Sequence, residues 1–103
     1  MKIQWTETAI NHLKSIYEYY KLEVSISVAS SVRYRIIEHS KILAHQPLIG
    51  TKEELLLHLA KEYRYLVEGN YKILYTFQEN KVIIAAIFDT RQEPKKLQES
   101  IKS

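Results

Sequence analysis

Cysteine is absent from this 103-residue sequence, and glycine and proline occur only twice each. A chain without cysteine forms no disulfides and offers no thiolate to a metal. Its four histidines, His12, His39, His45 and His58, show no tight ligand spacing, so we expect neither a metal nor another cofactor. The sequence also lacks a run of the roughly 20 apolar residues that cross a membrane, and its N-terminus lacks the apolar core of a signal peptide. We therefore expect a soluble, cytoplasmic protein without a membrane partner.

Charge and length are both modest. Fifteen Lys and Arg residues accompany twelve Asp and Glu residues, a net charge of +3 that is too small to indicate a nucleic-acid partner. The length suits one domain over residues 1–103, which can bury roughly two-thirds of its unfolded surface. Eight tyrosines accompany only two phenylalanines. Because each tyrosine hydroxyl needs a partner or water, we expect many of these rings to be half-buried at the margins of the core.

The C-terminal half contains three strand-like runs rich in Tyr, Ile, Val and Phe: Tyr63 to Glu68, Tyr71 to Gln78 and Lys81 to Phe88. They are separated by Gly69-Asn70 and Glu79-Asn80, which have the length of tight hairpin turns. These runs predict a three-stranded antiparallel sheet.

Helices are predicted before this sheet. Lys2 to Trp5 alternates as a short edge strand, and Thr6 offers an N-cap for a helix that reaches about residue 21. After a short link, Ser25 or Ser27 caps a second helix that continues to about residue 45. Each helix has one apolar stripe, so an antiparallel helical hairpin packed on the sheet is expected. The stripes comprise Ile10, Leu13, Ile16, Tyr17 and Tyr20 in the first helix, and Ala29, Val32, Ile36 and Leu43 in the second.

Two segments flank the sheet. Thr51 to Lys61 has no clean period and is predicted to be irregular or a single helical turn, whereas Pro94 opens a short C-terminal helix with Leu97 and Ile101 four residues apart. The predicted fold class is therefore α+β: a short N-terminal strand, a helical hairpin packed on a three-stranded antiparallel sheet, and a short C-terminal helix.

Two-residue turns also fix which residues share a face of the sheet. Pairing Glu68 with Tyr71 and Gln78 with Lys81 gives one face for the helices and a second, mixed face where a function is more expected. The helix face receives Leu66, Tyr71, Ile73, Tyr75, Phe77, Val82, Ile84, Ala86 and Phe88, with Arg64 opposite Tyr75 on the same side. The mixed face receives Tyr63, Tyr65, Val67, Lys72, Leu74, Thr76, Ile83, Ala85, Ile87 and Asp89, and Arg91 if it keeps the alternation of Asp89.

The order of these elements, together with the segments YRYL at 63–66, NYKILY at 70–75 and FDTRQEP at 88–94, resembles the RelE/ParE superfamily of toxins from type II toxin–antitoxin systems. The resemblance spans essentially the whole chain. It implies a growth-inhibiting, plasmid-stabilising toxin that a cognate antitoxin protein neutralises. ParE-like members of the superfamily inhibit DNA gyrase, whereas RelE-like members cut messenger RNA on the ribosome.

The two branches differ in their basic residues and in a Tyr or His near the end of the chain that transfers protons in the nucleases. Arg64, Lys72 and Arg91 match basic positions of the nucleases, but no Tyr or His follows Arg91, and RNA cleavage gains roughly 100- to 10,000-fold from a positioned acid or base. The resemblance therefore favours ParE-like inhibition of gyrase, without enzymatic activity, through Arg64, Lys72, Asp89 and Arg91 as target-binding residues. Two alternatives stay open: a RelE-like nuclease using Lys72, Arg91 and Arg64, and an inactive toxin fold that only binds its antitoxin.

The basic residues also have purely structural interpretations, because charged side chains on strands often pair locally or stay solvated. Lys72 would be a solvated charge on an exposed strand. Arg64 would pair with Glu62 or Glu68, and Arg91 with Asp89 or Glu93.

Overall fold

A computed structural model describes residues 1–101, which form three α-helices and one five-stranded sheet. The sheet order is β1-β5-β4-β3-β2, with β1 parallel to β5 and the other neighbours antiparallel. The predicted α+β class is confirmed, but the expected number of three strands is wrong. The elements are β1 (Lys2–Trp5), α1 (Glu7–Glu23), α2 (Ile26–Ser40), β2 (Thr51–Lys52), β3 (Tyr63–Glu68), β4 (Tyr71–Gln78), β5 (Lys81–Asp89) and α3 (Pro94–Ser100).

Side-chain caps start both long helices. Thr6 Oγ1 accepts a hydrogen bond from Ala9 N at 3.1 Å, and Ser25 Oγ accepts one from Val28 N at 3.1 Å. These bonds confirm Thr6 as the N-cap of α1 and show that Ser25, not Ser27, is the N-cap of α2. Helix α2 ends earlier than predicted, because a 3₁₀ turn over Lys41–Ala44 replaces its last part. Leu13, Ile16 and Tyr20 of the first stripe and Val32, Ile36 and Leu43 of the second pack on one face of the sheet around Ile73, Tyr75 and Ile84. Ile10, predicted to belong to the first stripe, is 40% exposed.

The two hairpins have the predicted register. Glu68 pairs with Tyr71 and Gln78 pairs with Lys81, so both turns contain two residues. Glu79 and Asn80 have φ of 51° and 65°, which is the backbone geometry that matches the right-handed twist of the flanking strands.

A β-bulge changes the sheet beyond this register. Leu74 pairs with Ala86 while the next residue, Tyr75, pairs with Ile84, so Ala85 has no partner in β4. An extra residue in one strand reverses the alternation of every residue that follows it.

The bulge therefore exchanges the faces at the end of β5. Ile87 joins the helix-side core, whereas Ala86 and Phe88 pack on the other side with Leu74. Asp89 lies directly opposite Tyr71, on the helix side. The predicted faces of all four of these β5 residues are wrong, because the prediction assumed an unbroken period of two.

The second face is not an open mixed surface. Its centre is covered by the segment predicted to be irregular, which contains β2 and a 3₁₀ turn over Glu54–Leu56, and by helix α3. Leu74 at its centre is fully buried. A second core therefore forms there from Leu56, Tyr63, Leu74, Ala86, Phe88 and Leu97.

Candidate functional site

Lys72 is held inside the second face by an ion pair. Its Nζ donates to Glu53 Oε2 at 2.7 Å and lies 4.2 Å from the centroid of the Tyr65 ring. Glu53 is only 3% exposed, and its Oε1 accepts a hydrogen bond from Leu55 N at 3.3 Å, at the start of the 3₁₀ turn. Lys72 is therefore not the solvated charge of the structural interpretation. It neutralises a buried carboxylate that anchors the segment covering the sheet.

Arg64 lies opposite Tyr75 on the helix side, as predicted. Its guanidinium donates to Leu48 O at 3.1 Å and Gly50 O at 2.9 Å, and its Nε donates to Glu62 Oε2 at 3.0 Å. The pairing with Glu62 agrees with the structural interpretation. Hydrogen bonds from Lys52, which has the largest effect, and from Arg64 hold the pKa of Glu62 below its ordinary value. Arg64 thus fixes the loop that leads into β2.

Arg91 forms a bidentate pair with Asp89. Its Nε donates to Asp89 Oδ1 at 3.0 Å and its Nη2 donates to Oδ2 at 2.8 Å, while the Arg91 backbone N–H also reaches Oδ1 at 2.9 Å. These bonds lower the pKa of Asp89 and raise that of Arg91. The Arg91 side chain remains 55% exposed, so this pair stays accessible to a partner.

Arg91 and Lys72 do not share a face. Because the bulge at Ala85 turns Asp89 to the helix side, Arg91 follows it there, whereas Lys72 contacts Glu53 on the opposite side. The expectation that Arg91 lies on the same side as Lys72 is wrong. The structure therefore does not bring the predicted basic residues together.

A cleft of about 420 Å³ lies beside Arg91, between helix α1 and the end of β5. At its rim, Tyr71 Oη donates to Tyr20 Oη at 3.3 Å, and burial raises the pKa of Tyr71. The volume falls within the range of roughly 300–1,000 Å³ that is usual for ligand pockets. The cleft is lined by His12, Ser15, Ile16, Tyr19, Tyr71, Ile87, Phe88, Asp89, Arg91, Gln92 and Ser100.

His12 was assigned no role from the sequence, yet it joins α1 to β5. Its Nδ1 is 3.2 Å from Ile87 N, whose N–H donates to it. Because Nδ1 accepts this bond, the ring is neutral and carries its proton on Nε2. Burial also lowers the pKa of the half-buried imidazole. The signal for this position was its spacing, three residues after Ala9 and four before Ile16, which places it at the edge of the buried stripe.

Two polar groups of this cleft can only donate hydrogen bonds, the guanidinium of Arg91 and the Nε2–H of His12, and one can only accept, the carboxylate of Asp89. The amide of Gln92 and the hydroxyls of Ser15, Tyr19, Tyr71 and Ser100 can do both. His12 cannot serve as a base in this arrangement, because Nδ1 already accepts from Ile87 and Nε2 already carries a proton. Arg91 and His12 are therefore the groups of the cleft that would donate to acceptor atoms of a ligand.

Metal binding and membrane insertion find no support in the residues from 1 to 101. No cluster of three or more His, Asp and Glu side chains there could hold a metal ion. None of the helices in the described part of the chain is long and apolar enough to cross a membrane.

A family model and a solved structure match this chain. A sequence model described as the ParE toxin of a type II toxin-antitoxin system, parDE, matches residues 3–94. A solved structure titled as a chromosomal ParDE TA system from P. aeruginosa matches with a TM-score of 0.73 and 20% identity, over 86% of this chain and 95% of the other. At that identity the structural match is a likeness of fold. No curated protein sequence matches the chain significantly.

Proposed function

The chain belongs to the ParE toxin family of type II toxin–antitoxin systems, and from this premise we propose that it binds and inhibits DNA gyrase without cutting nucleic acid. The superfamily resemblance found in the sequence is confirmed, and with it the assignment as a toxin component. The proposal also includes a cognate antitoxin that neutralises the toxin, a single functional domain over residues 1–103, and action in the cytoplasm, where gyrase works.

The separation of Arg91 from Lys72 is the observation that carries this proposal. A nuclease of the RelE type would need cations converging on one phosphate and a group that moves a proton. In this chain Lys72 is paired with Glu53 on one side of the sheet, and Arg91 is paired with Asp89 on the other. In His12, the histidine of the Arg91 cleft, the lone pair of Nδ1 already accepts the Ile87 N–H, so the ring offers no free base to a substrate. These contacts support a toxin that acts by binding.

Among the four predicted target-binding residues, Arg91 and Asp89 are the ones we assign to the target. Arg64 and Lys72 have side-chain exposures of only 18% and 21%, and both donate hydrogen bonds to groups within the protein. Arg91 sits on an exposed corner between β5 and α3, where a partner can reach it. Arginine is enriched among the residues that contribute most to binding at protein interfaces.

A supercoiling assay tests the proposal directly. The toxin is produced together with the antitoxin encoded beside it, separated by denaturation, refolded and added to purified gyrase with relaxed plasmid. We expect supercoiling to fall as toxin increases, and to recover when antitoxin is added back. Arg91→Gln should weaken inhibition about tenfold, whereas Lys61→Gln, which removes an exposed charge in the loop before β3, should act like the wild type.

Two other results would indicate a different function for the chain. Full supercoiling at an excess of toxin, together with cleaved messenger RNA in a translating extract, would make the chain a ribosome-dependent nuclease. Full supercoiling, intact messenger RNA and normal growth on expression would leave an inactive fold that only binds its antitoxin.

A further inference from the structure

The cleft between α1 and the end of β5 has a charge balance that restricts its ligand. Arg91 contributes one positive charge and Asp89 one negative charge, and His12 is neutral because its Nδ1 accepts the Ile87 N–H. The formal sum is zero, and the other polar side chains, those of Ser15, Tyr19, Tyr71, Gln92 and Ser100, can both donate and accept. A phosphate group with its higher charge would meet the Asp89 carboxylate without a second cation, since Lys72 lies across the sheet. A group with a single negative charge fits this balance better.

Arg91 keeps hydrogen-bonding capacity despite its pair with Asp89. A guanidinium has five N–H donors, and Asp89 takes that of Nε and one on Nη2. Arg91 and His12 both line the cleft. A carboxylate has two oxygens and can accept from both groups, and such charge-assisted bonds are about twice as strong as neutral ones.

The walls of the cleft are apolar beside these donors. Ile16 from α1 and Ile87 from β5 line it, and the exposed ring of Tyr19 stands at its edge. A ligand that fills the cleft therefore combines one carboxylate with an apolar group. Peptide segments that carry Asp or Glu next to an apolar residue have this composition, and a partner rich in such residues would also complement the net charge of +3.

We propose that the cleft receives an Asp or Glu side chain of the cognate antitoxin, held by Arg91 and His12, with a neighbouring apolar residue packed on Ile16 and Ile87. This inference rests on the neutralisation proposed above and adds its site. Because the same Arg91 is assigned to the target, an antitoxin carboxylate in the cleft would block the target by occupying its anchor.

The test measures the dissociation constant between the full-length antitoxin and four forms of the toxin by calorimetry. Arg91→Gln should weaken binding about tenfold or more. Asp89→Asn should tighten binding about three- to tenfold, because it leaves the cleft with a net positive charge and frees the donors of Arg91. Lys61→Gln, outside the cleft, should bind like the wild type. Far-ultraviolet circular dichroism checks that each form is folded.

The sign of the Asp89→Asn effect decides between two arrangements. Weaker binding would mean that Asp89 itself contacts a basic group of the antitoxin and would overturn the inference, as would unchanged binding of both Asp89→Asn and Arg91→Gln. A second readout needs no variant: in ¹⁵N-labelled wild-type toxin, the Nε–H signal of Arg91 and the ring signals of His12 should shift when antitoxin is added. Signals that stay in place would also overturn it.

Failure of the cleft and failure of the proposed neutralisation are distinguishable. If wild-type toxin does not bind the antitoxin at all, both are wrong. If wild-type toxin binds and is neutralised, but the cleft variants bind equally well, only the cleft assignment is wrong. The supercoiling assay without antitoxin reports on the target and is independent of both.

Discussion

The imidazole Nδ1 of His12 lies 3.2 Å from the backbone nitrogen of Ile87 and accepts its hydrogen bond. Strand β1 pairs with β5 only as far as Ile84. Beyond that point, Thr6 Oγ1 lies 3.1 Å from the carbonyl oxygens of both Ile84 and Ala85, and His12 binds Ile87. Thr6 and His12, at the start of α1, therefore provide the hydrogen bonds to the edge of β5 beyond the end of β1. These contacts lie at the bulge.

Replacing His12 by Phe should destabilise the protein. The ring volume is nearly kept, but the Ile87 N–H loses its acceptor in a half-buried position, which costs about 1–3 kcal/mol. Urea unfolding followed by circular dichroism measures the change. His45→Phe is the matched control, because His45 is exposed, and its free energy of unfolding should change by less than about 0.5 kcal/mol. Equal stability of His12→Phe and the wild type would show that the bond contributes nothing.

The same histidine should make stability depend on pH in one window. Burial lowers its folded-state pKa below the ordinary 6.5, so between these two values the unfolded chain binds a proton that the folded chain does not. Stability is then complete above about pH 6.5 and falls as the pH decreases towards the folded-state pKa. Unfolding free energies between pH 5 and 8 should show this slope in the wild type. Subtracting the His12→Phe profile removes contributions of the other histidines, and identical slopes would contradict the assignment.

The sequence predicted the hairpins because their turns carry local signals. Gly69-Asn70 and Glu79-Asn80 lie between β-rich runs, and such turns fix register within a few residues. The bulge has no comparable signal. The run from Val82 to Phe88 is apolar throughout, so no polar residue marks which side faces water, and one unpaired Ala85 leaves the pattern unchanged while it reverses the faces.

The α1 side of the candidate site was missed for a related reason, although Asp89 and Arg91 were predicted. Arg91 was identified by its position after the last strand, but its neighbours in the cleft come from α1, about 70 to 80 residues earlier in the chain. Only the reversed face of Asp89 brings Arg91 to this helix. The ion pair of Lys72 with Glu53 likewise depends on how the segment after β2 folds back, and that segment has no clear period. Long-range contacts of single polar residues leave no local pattern.

Gly50 should tolerate no side chain. A Cβ there would lie 2.6 Å from the hydroxyl oxygen of Tyr75 and 2.9 Å from the backbone oxygen of Tyr65. Tyr75 is fully buried, and its hydroxyl accepts the Gly50 N–H at 2.9 Å, so the ring cannot move aside without losing that bond. Gly50→Ala should cost about 2–3 kcal/mol in the free energy of unfolding.

Gly69→Ala provides the control for this substitution. A Cβ at Gly69 meets no heavy atom within 4 Å, but the residue has a φ of +58°, so the change should cost only about 1–2 kcal/mol of backbone strain. A loss at Gly50 no larger than that at Gly69 would contradict close packing around Tyr75.

Substitutions at Lys72 test whether this residue stabilises the fold or takes part in the function. Replacing it by Met leaves the Glu53 carboxylate, which is 3% exposed, without its cation, so we expect a loss of roughly 2–3 kcal/mol in the free energy of unfolding. The double variant Glu53→Gln, Lys72→Met removes both charges and should recover part of that loss, which a double-mutant cycle measures. Since Lys72 is paired on the face away from Arg91, the folded double variant should act like the wild type in the supercoiling assay that tests the proposed function. The opposite outcome is a double variant that is stable and binds antitoxin but fails to arrest growth. It would support the alternative in which Lys72 binds phosphate as part of a nuclease.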